Sequence, residues 1–469
     1  MSLLPRLTVN LILALGLISL FTAAALPEAA AEWKESVLYS FQGVPDGQSP
    51  VGSVVFDKAG NLYGATKEGG SASCISIFQC GTVFQLSPPA KPGDPWTETV
   101  LYVFKGNKGD DGASPLGGLV MDKAGNLYGT TGYGGTGNCV LLGVLMGCGA
   151  VFELSPPAHP GDSWKERVLY SFPSSQEGYV PNGDLVFDSA GNLYGATMFG
   201  GGKGTTCNDF YQYCGAVFEL SPPKKGGNKW KAKKLHAFAG GRDGTNPNGG
   251  LVLDTSGAIY GTTLGGGDES GECDGGEQGT GCGTVFKLMP PVGGTGHWTE
   301  EVLHRFHLGD DDGAQPAAGV ILDESGNLFG TTYGGPENGS GTVFELAKPV
   351  GQSRVWKETL LYRFMGAQEG ANPAAALIFG SDGSLLGTTA VATNQDDQGT
   401  VFRLEPPTGH GKTWTLKVGY TFLGPPDGAY PASPLVRGKA GAHYGTTQLG
   451  GTGQNCGAGN CGTVFEVKP

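Results

Sequence analysis

An all-β fold, a seven-bladed β-propeller of four-stranded blades, is predicted by three observations. The chain holds seven tryptophans, each eight residues before a phenylalanine: Trp33/Phe41, Trp96/Phe104, Trp164/Phe172, Trp230/Phe238, Trp298/Phe306, Trp356/Phe364 and Trp414/Phe422. Glycine and proline, 115 of 469 residues, fall at fixed places in each repeat and so mark turns rather than low complexity. The strand-like segments come out as seven of each of four kinds, but the order is offset, because the chain opens on the fourth kind and closes on the third. A ring resolves the offset: the N-terminal strand completes the last blade and removes the edges an open array would expose.

The elements follow in order. Strand A reads Leu119-Val120-Met121-Asp122 in the second repeat. A turn follows, with Asp57, Asp122, Asp188, Asp254 and Asp323 at its first position (Gly380 and Gly438 in the last two repeats) and a glycine near its end. Strand B is Asn126-Leu127-Tyr128-Gly129-Thr130-Thr131, and strand C is Gly149-Ala150-Val151-Phe152-Glu153-Leu154. Strand D runs from Trp164 to Phe172, and its even spacing predicts both rings on one face. Phenylalanine-to-phenylalanine spacings of 63, 68, 66, 68, 58 and 58 exceed the usual WD40 and kelch periods, and no helical periodicity competes.

Each D strand leads into an acidic-Gly-x-x-Pro crossing: Asp46, Asp111, Glu177, Asp243, Asp312, Glu369 and Asp427 supply the acid. Small residues follow the proline, as in Gly117-Gly118 and Ala375-Ala376, where seven inner strands would converge. Asp184 breaks that pattern. Its carboxylate is either a ligand or acid–base group in the central channel or a hydrogen-bonded structural residue. The repeated acids form either a cation-gathering ring or caps on backbone N–H groups, and repetition favours the caps.

Residues 1–31 read as a signal peptide: Arg6, an apolar run from Leu11 to Phe21 too short to span a membrane comfortably, and small-residue sites ending at Ala31. Residues 32–469 are then one propeller domain of seven repeats of about 60 residues. All ten cysteines pair locally between strands B and C: Cys74/Cys80, Cys139/Cys148, Cys207/Cys214, Cys273/Cys282 and Cys456/Cys461. Even count, short spacing and an export signal predict disulfides rather than zinc. The net charge of −13 disfavours nucleic acid and anionic membranes as partners.

Val-Leu-Tyr-Ser-Phe (37–41), the acidic-Gly-x-x-Pro segments, Asp-x-x-Gly-Asn-Leu-Tyr-Gly-Thr-Thr (122–131) and Gly-Ala-Val-Phe-Glu-Leu-Ser-Pro-Pro (215–223) together resemble the GloVer tandem repeat of bacterial exported, choice-of-anchor proteins. The resemblance spans the mature chain. It implies export and a propeller-like array, and it implies no activity.

Further candidates are local. Tyr133, Phe199 and Tyr333, beside glycines in the B–C loops, could stack on sugar rings or pack their loops. Asp268, Glu269, Glu272, Asp274 and Glu277 could bind calcium but match no calcium motif. His304 and His307 have poor metal geometry for a strand, His236 and His304 stand at a tyrosine position, and His443 stands at a leucine position; none has an evident partner. No nucleophile, zincin or phosphate-loop motif fits its context, and no cofactor or metal is predicted. The leading expectation is an exported scaffold binding an extracellular glycan or protein. A propeller enzyme of lyase, hydrolase or lactonase type is the alternative, and a structural envelope protein the third.

Overall fold

Seven antiparallel sheets of order A-B-C-D form the described propeller; in blades 1 to 6 each is a meander of sequence neighbours, and in the seventh strand D comes from the N-terminus. In the computed structural model the described residues are 33–71, 80–106, 111–141, 143–159, 161–202, 214–225, 227–267, 273, 281–294, 296–307, 312–335, 339–391, 398–409, 411, 413–456 and 460–469. Residues 1–31, expected to be a signal peptide, Cys74, Cys207 and the five acids of the calcium candidate lie outside them. Blade 1 comprises Gly47–Phe56, Leu62–Gly69, Thr82–Ser87 and Thr97–Val103.

The ring closes as the offset predicts. Strand D of blade 7 is Lys34–Ser40, at the N-terminus, and it pairs with strand C, Thr463–Lys468, in a register running from Lys34 opposite Lys468 to Ser40 opposite Thr463. Strands Val436–Arg437 and His443–Thr447 complete this blade.

The prediction that Trp and Phe share a face is overturned. Every D strand carries a one-residue bulge: Val168 pairs with Phe152 and Tyr170 with Val151, leaving Leu169 extra. The same break follows Val37, Val100, Lys234, Val302, Leu360 and Val418. An extra residue reverses the inward–outward alternation. The tryptophan therefore packs toward the preceding blade and the phenylalanine toward the next. Trp96 joins the cluster of Phe41 and Phe84, whereas Phe104 joins that of Phe152.

Each D-strand phenylalanine meets the C-strand phenylalanine of the next blade edge to face. The seven pairs, from Phe41–Phe84 to Phe422–Phe465, have centroids 5.0–5.2 Å apart. Such pairs contribute about 0.5–1.5 kcal/mol each beyond area burial. The core is thus a ring of inter-blade seams.

A second repeated contact fastens the crossings. The residue before each crossing proline is non-glycine with positive φ: Ser49, Ser114, Val180, Asn246, Gln315, Asn372 and Tyr430, at φ 52–59°. Its N–H donates to the carbonyl two residues before the preceding blade's C strand, as Val180 N to Cys148 O at 3.2 Å and Asn372 N to Ser340 O at 2.8 Å. Left-handed backbone costs a β-branched residue such as Val180 most.

Three disulfides are present as predicted, Cys139–Cys148, Cys273–Cys282 and Cys456–Cys461, and Cys80 and Cys214 are also disulfide-bonded. This bonding favours an oxidising environment. No helix among the described residues is long and apolar enough to cross a membrane.

Candidate functional site

The meander puts the D–A crossings and B–C loops on one face, around the mouth of the central channel. There the inner strands enclose a cavity of about 560 Å³. Aligned on the crossing prolines, the first lining row is Val51, Leu116, Asn182, Asn248, Ala317, Ala374 and Ala432; two residues on lie Ser53, Gly118, Asp184, Gly250, Gly319, Ala376 and Pro434. Blades 3 and 4 therefore present amides, and blades 5 to 7 present methyl groups and a proline ring.

Asp184 sits in this channel, and its two oxygens are engaged. Oδ2 accepts from Ser53 Oγ at 2.6 Å, and Oδ1 from the Gly118 N–H at 2.6 Å. One side chain thus ties blades 1, 2 and 3 together. The tie requires glycine at 118, where a Cβ would lie 2.3 Å from Ser53 N and 2.9 Å from Asp184 Oδ1. Asn182 Nδ2 donates to Asn248 Oδ1, and Asn248 Nδ2 donates to Ala317 O at 3.0 Å. Among the described lining residues Asp184 is the one carboxylate, and no Lys, Arg or His is present.

The three loop aromatics separate. Tyr333 follows the second threonine of its B strand by one residue and lines the channel, whereas Tyr133 and Phe199 follow by two and turn away. Tyr133 packs with Ala113, Met146 and Val144, and burial raises its hydroxyl pKa. Phe199 packs against Tyr179 with centroids 5.3 Å apart. Tyr333 gains a partner that the sequence reading missed: Tyr430, whose hydroxyl hydrogen-bonds it and whose pKa is raised by burial and that contact. Gln448 completes the mouth. Repeats aligned on the proline single out Tyr430 as the lone aromatic at its position, and Asn182 and Asn248 as the polar exceptions at theirs.

The repeated acids act as caps. Asp46 accepts from the Tyr39 hydroxyl at 2.9 Å, Gln42 N at 2.9 Å and Gly47 N at 2.6 Å, and Asp427 is bound in the same way by Tyr420, Leu423 and Gly428. The histidines at the tyrosine position do have partners, contrary to expectation. His304 Nε2 lies 3.0 Å from Asp312 Oδ2 in a hydrogen bond, His307 Nε2 lies 3.5 Å from the same oxygen, and His236 Nε2 lies 3.5 Å from Asp243 without hydrogen-bonding to it. Imidazole takes the place of the phenol as partner of the capping acid. No group of three or more His, Cys, Asp or Glu is placed to hold a metal among the described residues.

Fold and site together define a seven-bladed propeller built from one exact-length-tolerant repeat, with a small, weakly charged channel mouth. The chain belongs to the Gloeobacter/Verrucomicrobia repeat family, whose profile matches residues 27–207, 141–346 and 272–469. No curated protein matches it by sequence. Similar solved structures include the PQQ-bound form of an aldose sugar dehydrogenase from Streptomyces coelicolor, at 14% identity over 94% of this chain and 99% of that one, TM-score 0.40. A putative gluconolactonase matches at 12% identity over 83% and 93%, TM-score 0.35. The calcium structure of a Trichoderma reesei carbohydrate-active enzyme of family AA12 matches at 10% identity over 94% and 96%, TM-score 0.42. None of these likenesses bears on the chemistry of the site.

Proposed function

We propose that this chain is an exported binding module, delivered by a signal peptide at residues 1–31, that takes a neutral glycan at the channel mouth. The observation that carries the reading is that the Tyr333–Tyr430 pair and the amides of Asn182 and Asn248 line one cavity of about 560 Å³. A sugar ring has an apolar face, which stacks on phenols, and a hydroxyl rim, which exchanges hydrogen bonds with amides. The absence of Lys, Arg and His from the described lining supports a neutral ligand over an anionic one. The engagement of both Asp184 oxygens supports binding over hydrolysis, since a general acid or base needs a free oxygen directed at the substrate.

A glycan array followed by calorimetry tests the reading. Asparagine occupies the Tyr430 position in two other blades, at Asn246 and Asn372, so Tyr430→Asn suits the left-handed backbone. Tyr430→Asn and Tyr333→Ala are each expected to weaken glycan binding about tenfold, with melting temperature preserved. An array on which no neutral glycan depends on either tyrosine defeats the proposal. Turnover of a bound glycan that disappears in Asp184→Asn replaces it with catalysis.

A further inference from the structure

Blade 3 departs from the repeat on the side away from the channel mouth. Its C–D turn and D strand hold six lysines in eleven residues: Lys224, Lys225, Lys229, Lys231, Lys233 and Lys234. No acid lies between Glu219 and Asp243, in a chain of net charge −13. Ala232 stands where blades 1, 2, 4, 5 and 7 place a glutamate (Glu98, Glu166, Glu300, Glu358 and Glu35), so this strand carries no acid at all. Lys234 is tied down, donating to Gln176 O at 2.7 Å and Gly201 O at 3.3 Å. The other five project into solvent. Lys231 and Lys233, two apart on a strand before its bulge, share a face, the one opposite Trp230, so they reach the cleft side only over the exposed edge of this outer strand.

Beside this patch, between blades 2 and 3, lies a cleft of about 580 Å³ walled by Tyr128, Phe187, Trp230 and Pro222. Tyr128 meets Phe187 at 5.1 Å and Trp230 at 6.2 Å between centroids. The Trp230 indole N–H is buried and has no hydrogen-bond partner among the described residues. A buried donor without an acceptor costs free energy that a ligand oxygen would recover. Asp122 and Asp188 also line the cleft, but their carboxylates accept the bonds of their own turns. Asp122, for example, binds Ala124 N, both the backbone and side-chain nitrogens of Asn126, and the Tyr128 hydroxyl.

From this juxtaposition we infer that the cleft and lysine patch of blade 3 form a docking site for an acidic polysaccharide. A neutral sugar ring enters the aromatic cleft and meets the Trp230 N–H. The carboxylates or sulfates of neighbouring sugars reach Lys224 and Lys229 in the turn beside the cleft and, where the chain passes over the outer edge of strand D, Lys231 and Lys233. The cleft wall carries Asp122 and Asp188 against one cation, Lys123, which disfavours an anionic ring inside it, so the fit is to a chain in which neutral and acidic sugars alternate. A membrane surface would want large apolar side chains among the lysines, and residues 224–234 supply, beside the methyl of Ala232, only Trp230, which is turned into the cleft. The site lies on the opposite face from the channel mouth and stands whether or not a neutral glycan binds there.

The test is binding of the intact chain to a hyaluronate decasaccharide, a dextran oligosaccharide of similar length, a single-stranded oligonucleotide and phosphatidylglycerol vesicles. Hyaluronate is expected to bind, several-fold more weakly at about 200 mM than at about 50 mM salt. The double variant Lys231→Glu/Lys233→Glu should lower that affinity about tenfold or more. Trp230→Phe keeps the packing and removes the donor, and it should lower affinity about threefold with the melting temperature unchanged. Failure of hyaluronate to bind, equal binding of dextran, or indifference to the lysine reversal overturns the inference. So does tighter binding of the oligonucleotide or the vesicles that is lost on lysine reversal and untouched by Trp230→Phe.

Discussion

Blade 4 and blade 7 make the same sheet from differently connected chain. In blade 4 strand D, Thr299–Arg305, follows strand C, Thr284–Met289, through a short turn. In blade 7 the D strand comes from the other end of the molecule. Register, bulge and edge-to-face phenylalanines are otherwise alike. Each blade also has a disulfide before strand C. Sheet geometry is therefore set by the repeat and not by connectivity. What connectivity changes is the entropic cost of bringing the last strand home, which in blade 7 is the closure of the whole ring.

The largest way to break the comparison is to remove residues 33–41. That exposes the edge of Thr463–Lys468 and strips Phe84 of its partner, and the expected outcome is loss of soluble monomer by size-exclusion chromatography. A circular permutant, with the natural ends of the described propeller joined and the chain opened between Gly293 and Gly294, should remain a folded monomer, because it only moves the seam to blade 4. Next come the disulfides. Replacing Cys273 and Cys282 by serine is expected to cost about 2–3 kcal/mol in denaturant unfolding by loop entropy. Replacing Cys456 and Cys461 should cost more, because that loop also holds the N-terminal segment. The Cys461 carbonyl accepts from Ser49 N at 2.9 Å, and Gly43 packs against Cys456.

Much of this was legible in the sequence because the signal was sevenfold. Repeated tryptophans counted the blades, and the strand offset implied closure. The D-strand bulge leaves only a trace in the sequence. Val-Leu-Tyr breaks strict alternation, and the leucine at the break is buried in Leu169, Leu235 and Leu361. The backbone geometry of the crossing was less accessible, since residues as different as Ser49, Val180 and Tyr430 all take positive φ there. Tertiary pairing, not residue preference, imposes it. The same holds at the site. Tyr333 is legible in its loop, but its partner Tyr430 lies 97 residues further on and only the ring brings the two together. Tyr133 and Phe199 share the glycine-rich loop composition of Tyr333, and a single residue of register separates them from it.

A smaller effect sharpens the seam. His443 takes the place held by Leu62, Leu127, Leu193, Ile259, Leu328 and Leu385 in the other blades. It is buried, stacks on Trp33 with centroids 5.8 Å apart, and its Nδ1 has no partner among the described residues. Burial, with Arg437 and Arg403 nearby, holds its pKa below 6.5. The unfolded chain therefore takes up a proton that the folded chain refuses, and wild-type stability falls as pH drops below about 6.5. His443→Leu should stabilise by about 1–2 kcal/mol at neutral pH. In thermal unfolding the advantage should widen toward pH 5, whereas an advantage independent of pH would mean that the imidazole is not what strains the seam.

The smallest predicted difference is again between the two blades, at a glutamate two residues beyond each tryptophan. Glu35 in blade 7 and Glu300 in blade 4 face the capping acid of the preceding crossing, Asp427 and Asp243. Burial first, and then the neighbouring carboxylate, raises Glu35 to about 8 and Glu300 to about 7. An unfolded glutamate releases its proton near 4.5, so each folded group holds a proton that the unfolded chain has lost. Its contribution is complete below pH 4.5 and drains away as pH rises to 8 for Glu35 and to 7 for Glu300. Glutamine cannot ionise, and its amide can donate to the facing acid. Melting curves of Glu35→Gln against wild type should coincide near pH 4.5 and separate by a few degrees by pH 8. Those of Glu300→Gln should separate less and level off about one pH unit earlier. If the two variants separate from wild type over the same pH range, the seam buries its acid no differently from a continuous blade, and the closure is as tight as the joints made by connected chain.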